Sequence, residues 1–200
     1  MNKSRLIVIL SVACLSVLVG PVSAEIPNYA AIRGGFYSPQ SHDLDGFKTG
    51  FDGEAAIGHY FNRNLIGEVG VGYFKTDFNG SDPFASGNVK ISAIPVTVTV
   101  KAVLPLDSVE LYGGAGMGAY FNELKYNAAI AGVGSASGSA SDTSFGFHLV
   151  AGGTADLSQT VFMGLEFRYL WDKASFNLPG GTADAKLDGF TTTVGIGCRF

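Results

Sequence analysis

Eight times along this 200-residue chain, large apolar side chains recur at every second position over about ten residues, with glycine, threonine or a charge between them. A period of two is that of a β-strand, whose successive side chains point to opposite faces. The last stretch states it plainly: Phe190, Thr192, Val194, Ile196, Cys198 and Phe200 share one face, and Thr191, Thr193, Gly195, Gly197 and Arg199 the other. At 111–121, Leu111, Gly113, Ala115, Met117, Ala119 and Phe121 oppose Glu110, Tyr112, Gly114, Gly116, Gly118 and Tyr120. At 161–172, Val161, Met163, Leu165, Phe167, Tyr169 and Trp171 oppose Phe162, Gly164, Glu166, Arg168 and Asp172. The chain is all-β.

The remaining five strands follow the same rule. Ile32 and Phe36 oppose Arg33; Phe51, Ala55 and Ile57 oppose Asp52 and Glu54; Leu65, Val69 and Val71 oppose Glu68. In the fourth, Ile94, Val96, Val98 and Val100 oppose Thr97, Thr99 and Lys101, and Pro95, which cannot donate a ladder hydrogen bond, predicts a bulge or an unpaired position. Phe145, Phe147 and Leu149 oppose His148 in the sixth. The connections alternate in length. Those after strands two, four and six have about four or five residues, whereas the odd ones run from 11 residues at 39–49 to 22 at 122–143. The Ala-, Gly- and Ser-rich composition of 122–143 predicts a flexible loop, poorly ordered at 132–141. Residues 75–88 and 173–187 read as the other long loops, with turn signals at Asn79-Gly80, Asp82-Pro83 and Pro179-Gly180-Gly181.

Ten residues is the length a tilted strand needs to cross a bilayer, and short turns alternating with long loops are the pattern of an up-and-down transmembrane barrel. Nine charges decide which face is inside. Arg33, Asp52, Glu54, Glu68, Lys101, Glu110, Glu166, Arg168 and Arg199 all lie opposite the large apolar residues, on the face that also carries glycine. A narrow eight-strand interior needs small residues; a solvated exterior does not. The charges therefore form a lumen network and the apolar face meets lipid, with Tyr73, Phe121, Phe145, Tyr169, Trp171 and Phe200 as girdle residues at the strand ends.

The amino-terminus carries Lys3 and Arg5, an apolar run over 6–20, and Val22-Ser23-Ala24 before Glu25. That is the pattern of a cleavable export signal, 1–24, cut between Ala24 and Glu25, leaving residues 25–200 as one barrel domain. Cleavage leaves 11 basic and 17 acidic residues, a net charge of −6, which speaks against nucleic acid as a partner. Cys14 reads as part of the signal, so Cys198 is left without an intramolecular disulfide partner.

In the Tyr112–Tyr120 and Leu165–Tyr169 strands, the export signal and the terminal Val194, Ile196, Cys198, Phe200 pattern, the chain resembles the small Gram-negative outer-membrane β-barrel domain family, the OmpA-type and opacity-protein-like barrels, over 28–200. The resemblance implies an eight-stranded antiparallel barrel embedded in outer-membrane lipid. It implies also that the terminal pattern is the assembly signal read by the barrel assembly machinery, with Cys198 where the family usually has a larger residue. No peptidoglycan-binding domain follows the barrel, so the wall-anchoring role of the longer OmpA-type proteins is not expected.

Three functions fit such a chain. The first is a non-enzymatic barrel with a structural or adhesive role, meeting a surface partner through its outer loops. The second is a narrow porin-like channel. The third is a lipid A-modifying enzyme, which needs a nucleophile, a base and an orienting carboxylate within reach of one another. His42 with Asp43 and Ser81 with Asp82 are the loop residues that could meet at the outer rim, although Ser, Asp and His are all common turn residues. His148 and Ser144 share the lumen face and read as packed polar residues, and His59 as an interface residue at the opposite end. A soluble exported barrel is the remaining fold alternative. The sequence has no metal-ligand cluster, phosphate-cradling loop or paired-cysteine motif, so no cofactor is expected.

Overall fold

A computed structural model of the chain describes residues 28–82, 85–130, 134–178 and 181–200; for 79–82, 85–86, 128–130 and 177–178 it describes the backbone alone. The export-signal reading, with Ala24 and Glu25, falls outside these residues. Strands β1 (Asn28–Pro39), β2 (Gly50–Asn62), β3 (Leu65–Asp82), β4 (Ala85–Leu106), β5 (Val109–Ile130), β6 (Gly134–Asp156) and β7 (Val161–Trp171) pair antiparallel with their neighbours in chain order. A separate hairpin of β8 (Lys173–Leu178) and β9 (Gly181–Lys186) follows, and β10 (Gly189–Arg199) then returns between β7 and β1 to close an eight-stranded barrel. The closure is tight at its lower end, where Asn28 and Phe200 exchange backbone hydrogen bonds of 2.9 and 2.8 Å. A closed barrel leaves no unpaired edge along its wall.

The alternation sorts as expected for a membrane-spanning wall. Phe145 is 81% exposed and Val194 63%, on the outside, whereas Glu68, Glu166 and Lys101 are each 2% or less exposed, inside. The short turns lie at 63–64, 107–108 and 157–160, and Asp107 adopts φ 49°, a left-handed turn conformation that aspartate tolerates. At Pro95 the β3–β4 pairing lapses: it runs from Leu65 to Val71 and resumes in the same register at Phe74, skipping the two rungs of Pro95 and Ile94. Two lumen glycines are needed for close approach. A Cβ on Gly58 would stand 2.1 Å from the Tyr29 ring, and one on Gly195 would stand 2.8 Å from Cγ of Arg33, so each lets an inward side chain of β1 lie across its neighbour.

The long connections are corrected by the structure. Residues 122–143 are no loose loop: β5 and β6 continue in register from Phe121↔Thr143 out to Ile130↔Gly134, with only 131–133 outside the described residues. Likewise 75–82 and 85–88 are paired within the β3–β4 ladder, from Lys75↔Ser92 to Asp82↔Ala85, and 173–178 pairs with 181–186 as the β8–β9 hairpin. The physical reason is that ladder pairing set inside the membrane propagates outward as long as no residue forbids it; alternating hydrophobicity is absent there because neither face meets lipid. Strands β4, β5 and β6, of 22, 22 and 23 residues, are thus about twice the length a bilayer crossing requires.

Above the wall the hairpin folds back. Ala174 and Phe176 of β8 and Leu187 pack with Leu44 of the 3-10 turn His42–Leu44 and with Ile91 and Ala140 of the extended sheet, all buried. Ser175 N donates to Asp142 Oδ2 at 2.9 Å, and Lys186 N to Asp43 Oδ2 at 3.0 Å. This small apolar core caps the outer mouth.

Candidate functional site

Midway along the lumen, inward positions of β1, β2, β3, β4 and β7 carry six charges into one place. They form a closed cycle. Arg168 Nη1 donates to Glu54 Oε2 at 2.6 Å, and Glu54 Oε1 accepts from Arg33 Nη1 at 2.6 Å. Arg33 clamps Glu68 through both guanidinium nitrogens. Lys101 Nζ bridges Glu68 Oε1 at 2.8 Å and Glu166 Oε2 at 2.7 Å, and Glu166 Oε1 returns to Arg168 Nη2 at 2.9 Å. Every cation touches at least two carboxylates and every carboxylate at least two cations, and Arg33 Nη1 also lies 3.8 Å from Glu166 Oε2 across the ring. Three of each sign make the ring neutral, which is the condition for keeping charges out of water.

Phenols complete it. Tyr29 donates to Glu68, Tyr112 donates to Glu166 Oε2 at 3.0 Å, and the Lys101 ammonium lies 4.6 Å from the centroid of the Tyr112 ring. Below the ring Tyr29, Tyr60 and Phe162 stack edge to face, with centroids 5.6 to 5.9 Å apart around Tyr29. Above it Tyr37, Phe74, Tyr120 and Leu170 form a second buried apolar layer. The lumen is therefore filled in three successive layers beneath the outer cap.

Between ring and cap, beside that apolar layer, buried polar side chains also pair with one another. His148 Nε2 lies 2.9 Å from Thr99 Oγ1, and Asn122 Nδ2 donates to Ser144 Oγ at 2.7 Å and reaches Asp172 Oδ2 at 3.5 Å. Burial pushes the Asp172 carboxyl, just past the end of β7, above the usual carboxylate range. At the exposed base of the hairpin the Asp184 carboxylate beside Lys173, 2.6 Å away, is held below that range. Among the described residues no group of three or more His, Cys, Asp and Glu gathers in a way that could hold a metal ion.

A family model for the outer membrane protein beta-barrel domain matches residues 7–200. The chain belongs to this family. No curated protein matches it in sequence. Among solved structures, the outer-membrane protein OprG from Pseudomonas aeruginosa is 18% identical over 86% of this chain and 96% of that one, with a TM-score of 0.59. Neisserial surface protein A is 15% identical over 88% and 97%, with a TM-score of 0.52. A major outer-membrane protein from Thermus thermophilus is 13% identical over 88% and 100%, also at 0.52. At such identities the likeness is one of fold. The protein is an outer-membrane β-barrel, and its exposed apolar wall faces lipid.

Within the outer-membrane barrel the nine lumen charges divide. Arg33, Glu54, Glu68, Lys101, Glu166 and Arg168 make the ring. Asp52 is buried one inward position above Glu54 and is no member of the cycle. Glu110 and Arg199 sit near the short-turn end as a second cluster: Arg199 contacts Glu110 at 3.2 Å and Asp156 at 2.6 Å, and Tyr60 donates to Glu110 at 2.7 Å. Asp156 reads as a turn residue in the sequence. Its role, like those of Tyr29, Tyr60 and Tyr112, follows only from register, although the inward parity of the tyrosines was a usable signal.

The other candidates are dispersed. Val194, Ile196 and Cys198 are exposed on the outer face of β10, Phe200 follows it at the closing seam, and His59 lies outside with Nδ1 2.8 Å from Asn28 Oδ1. His42 pairs with Asp45 at 2.6 Å, not with Asp43, whose carboxylate is engaged by the Lys186 N–H. The side chains of Ser81 and Asp82 lie outside the described residues. His148 and Ser144 each have a different partner, Thr99 and Asn122.

Proposed function

We propose that this outer-membrane barrel is a non-enzymatic, non-conducting scaffold that presents its outward sheet and hairpin to a surface partner. One observation carries the reading: the lumen is filled by a neutral six-charge ring between two apolar layers, while the wall continues past the lipid belt as paired strands capped by a buried core. A water-filled path would have to break buried ion pairs and displace Tyr37, Tyr120 and Phe162, so transport through the lumen is disfavoured. A rigid β-projection suits recognition, because little conformational freedom is lost on binding. Assembly uses the terminal Val194, Ile196, Cys198 and Phe200 as the pattern read by the barrel assembly machinery. The engaged partners of His42, Asp43, His148 and Ser144 speak for turn and packing roles over catalysis.

The test pairs two measurements. Purified protein in planar bilayers is expected to give no discrete current steps, and cross-linking on whole cells is expected to capture a partner that is lost when residues 123–142 are replaced by a short turn. Regular conductance steps, or lipid A of altered mass in overproducing cells, would overturn the reading.

A further inference from the structure

Carboxylates in the lumen ring are balanced by cations, but two carboxylates at the base of the cap are not. On the inner face, Asn122 of β5 and Asp142 of β6 are cross-strand partners, and Tyr120 and Ser144 form the next inward rung below them. Asp172 reaches the same place from just past the end of β7, with Oδ2 3.5 Å from Asn122 Nδ2. The packing there is close: a Cβ on Gly146 would stand 2.9 Å from Cε2 of Tyr120 and 3.2 Å from Cβ of Asp172. The cations nearest in sequence are spent elsewhere, Arg168 on Glu54 and Glu166, and Lys173 on Asp184. Among the described residues neither Asp142 nor Asp172 forms an ion pair.

Unmet acceptors give a second, independent observation. Oδ1 of Asn122 and Oδ1 of Asp172 are buried without a hydrogen-bond partner, on residues 2% and 3% exposed. The other side of the amide is engaged, since Nδ2 of Asn122 donates to Ser144 Oγ and lies 3.4 Å from Tyr120 O. A buried acceptor left unpaired bears its full desolvation cost, and buried charge is kept only when it is paired or coordinates a metal. Water could donate to both oxygens, but it brings no charge. A divalent cation meets both acceptors and balances two carboxylates. The donors are all oxygen, two carboxylates with an amide and a hydroxyl, in an irregular arrangement that calcium accepts; magnesium demands stricter octahedral geometry and sheds its water reluctantly. With two acids and two neutral groups, the set contains no triad of acidic, cysteine or histidine ligands.

We infer that Asp142, Asp172, Asn122 and Ser144 bind one calcium ion at the base of the cap. Both acids also hold the hairpin. Asp142 Oδ2 accepts from Ser175 N of β8 at 2.9 Å, while Asp172 O accepts from Leu187 N at 2.8 Å and Asp172 N donates to Asp188 Oδ1 at 3.0 Å. The ion therefore fastens both ends of the β8–β9 hairpin to β5 and β6. Two carboxylates are few for a calcium site, so the dissociation constant falls at about 10⁻⁴ to 10⁻³ M, the range of extracellular modules.

The test is terbium luminescence of the barrel in phosphatidylcholine vesicles free of lipopolysaccharide, where energy transfer from the adjacent Tyr120 ring reports an ion at the site. Saturable emission is expected, displaced by calcium at about 10⁻⁴ to 10⁻³ M and by magnesium only at higher concentration. The variant D142N/D172N should lose the emission, whereas D184N, on the exposed hairpin, should keep it. Calcium should slow hydrogen exchange of the hairpin amides in the parent and leave it unchanged in D142N/D172N. Circular dichroism checks that each variant is folded. Emission retained by D142N/D172N, magnesium displacing terbium as readily as calcium, or no saturable emission from the parent protein would overturn the inference.

Discussion

Lys101→Met is the sharpest probe of the lumen ring. Lys101 is 1% exposed, and its ammonium bridges Glu68 and Glu166, themselves 2% exposed. Its removal leaves three carboxylates against two guanidiniums, one net negative charge in a closed interior. Breaking a buried pair by deleting one partner costs about 3–5 kcal/mol. The lower end applies here, about 3 kcal/mol, because Glu68 retains Arg33 and Tyr29 while Glu166 retains Arg168 and Tyr112. Adding Glu166→Gln restores neutrality, and the double variant should recover roughly 1.5 kcal/mol or more relative to the sum of the two single changes. Urea unfolding from phospholipid vesicles, followed by the fluorescence of Trp171, the one tryptophan of the chain, measures both. A loss under about 1 kcal/mol for Lys101→Met, or strict additivity in the double variant, would refute the ring as a coupled unit.

Phe200→Ala is expected to lower the amount of barrel in the outer membrane more than any loop substitution, read by fractionation and immunoblotting; normal levels would remove the terminus as an assembly signal. Gly116→Ala should cost about 1–3 kcal/mol, since its Cβ would lie 2.3 Å from Val98 O and 2.4 Å from His148 Nε2, whereas Gly34→Ala, with nothing within 4 Å, should be near neutral in the same unfolding assay. Asp172 gives a pH dependence. Its carboxyl holds a proton to higher pH folded than unfolded, so its contribution is full below the ordinary carboxylate range and is lost as pH rises through the raised value. Stability measured across that window should fall with rising pH in the parent and flatten in Asp172→Asn.

Much of this was legible in residue order, and the reason is the period of two. In a bilayer-spanning strand each residue faces either lipid or lumen, so parity alone assigned Arg33, Glu54, Glu68, Lys101, Glu166 and Arg168 to one interior and Ile32, Val69, Met117 and Phe167 to the outside. The strand count and the short turns came from the same signal, and the disruption at Pro95 from the donor that proline lacks. Parity carries no height, however. That Glu110 and Arg199 stand apart near the short-turn end, that Asp52 misses the cycle, and that Tyr29 and Tyr112 serve the carboxylates depend on the stagger between strands, which only closure of β1 onto β10 fixes.

Beyond the lipid the sequence loses its alternation, and there the tertiary structure decided. Gly, Ser and Ala in 134–141 carry no facing preference, yet the ladder of β5 holds them in register. Likewise no local pattern places Phe176 against Leu44 and Ile91; the hairpin buries them because the projecting sheet offers an apolar surface above the mouth. By itself, then, the sequence determined which side of the wall each residue occupies, because lipid and lumen impose opposite chemistries on alternate positions. Where along the barrel axis those residues meet, and that the outer end is capped, is set by hydrogen-bond register and packing between segments far apart in the chain.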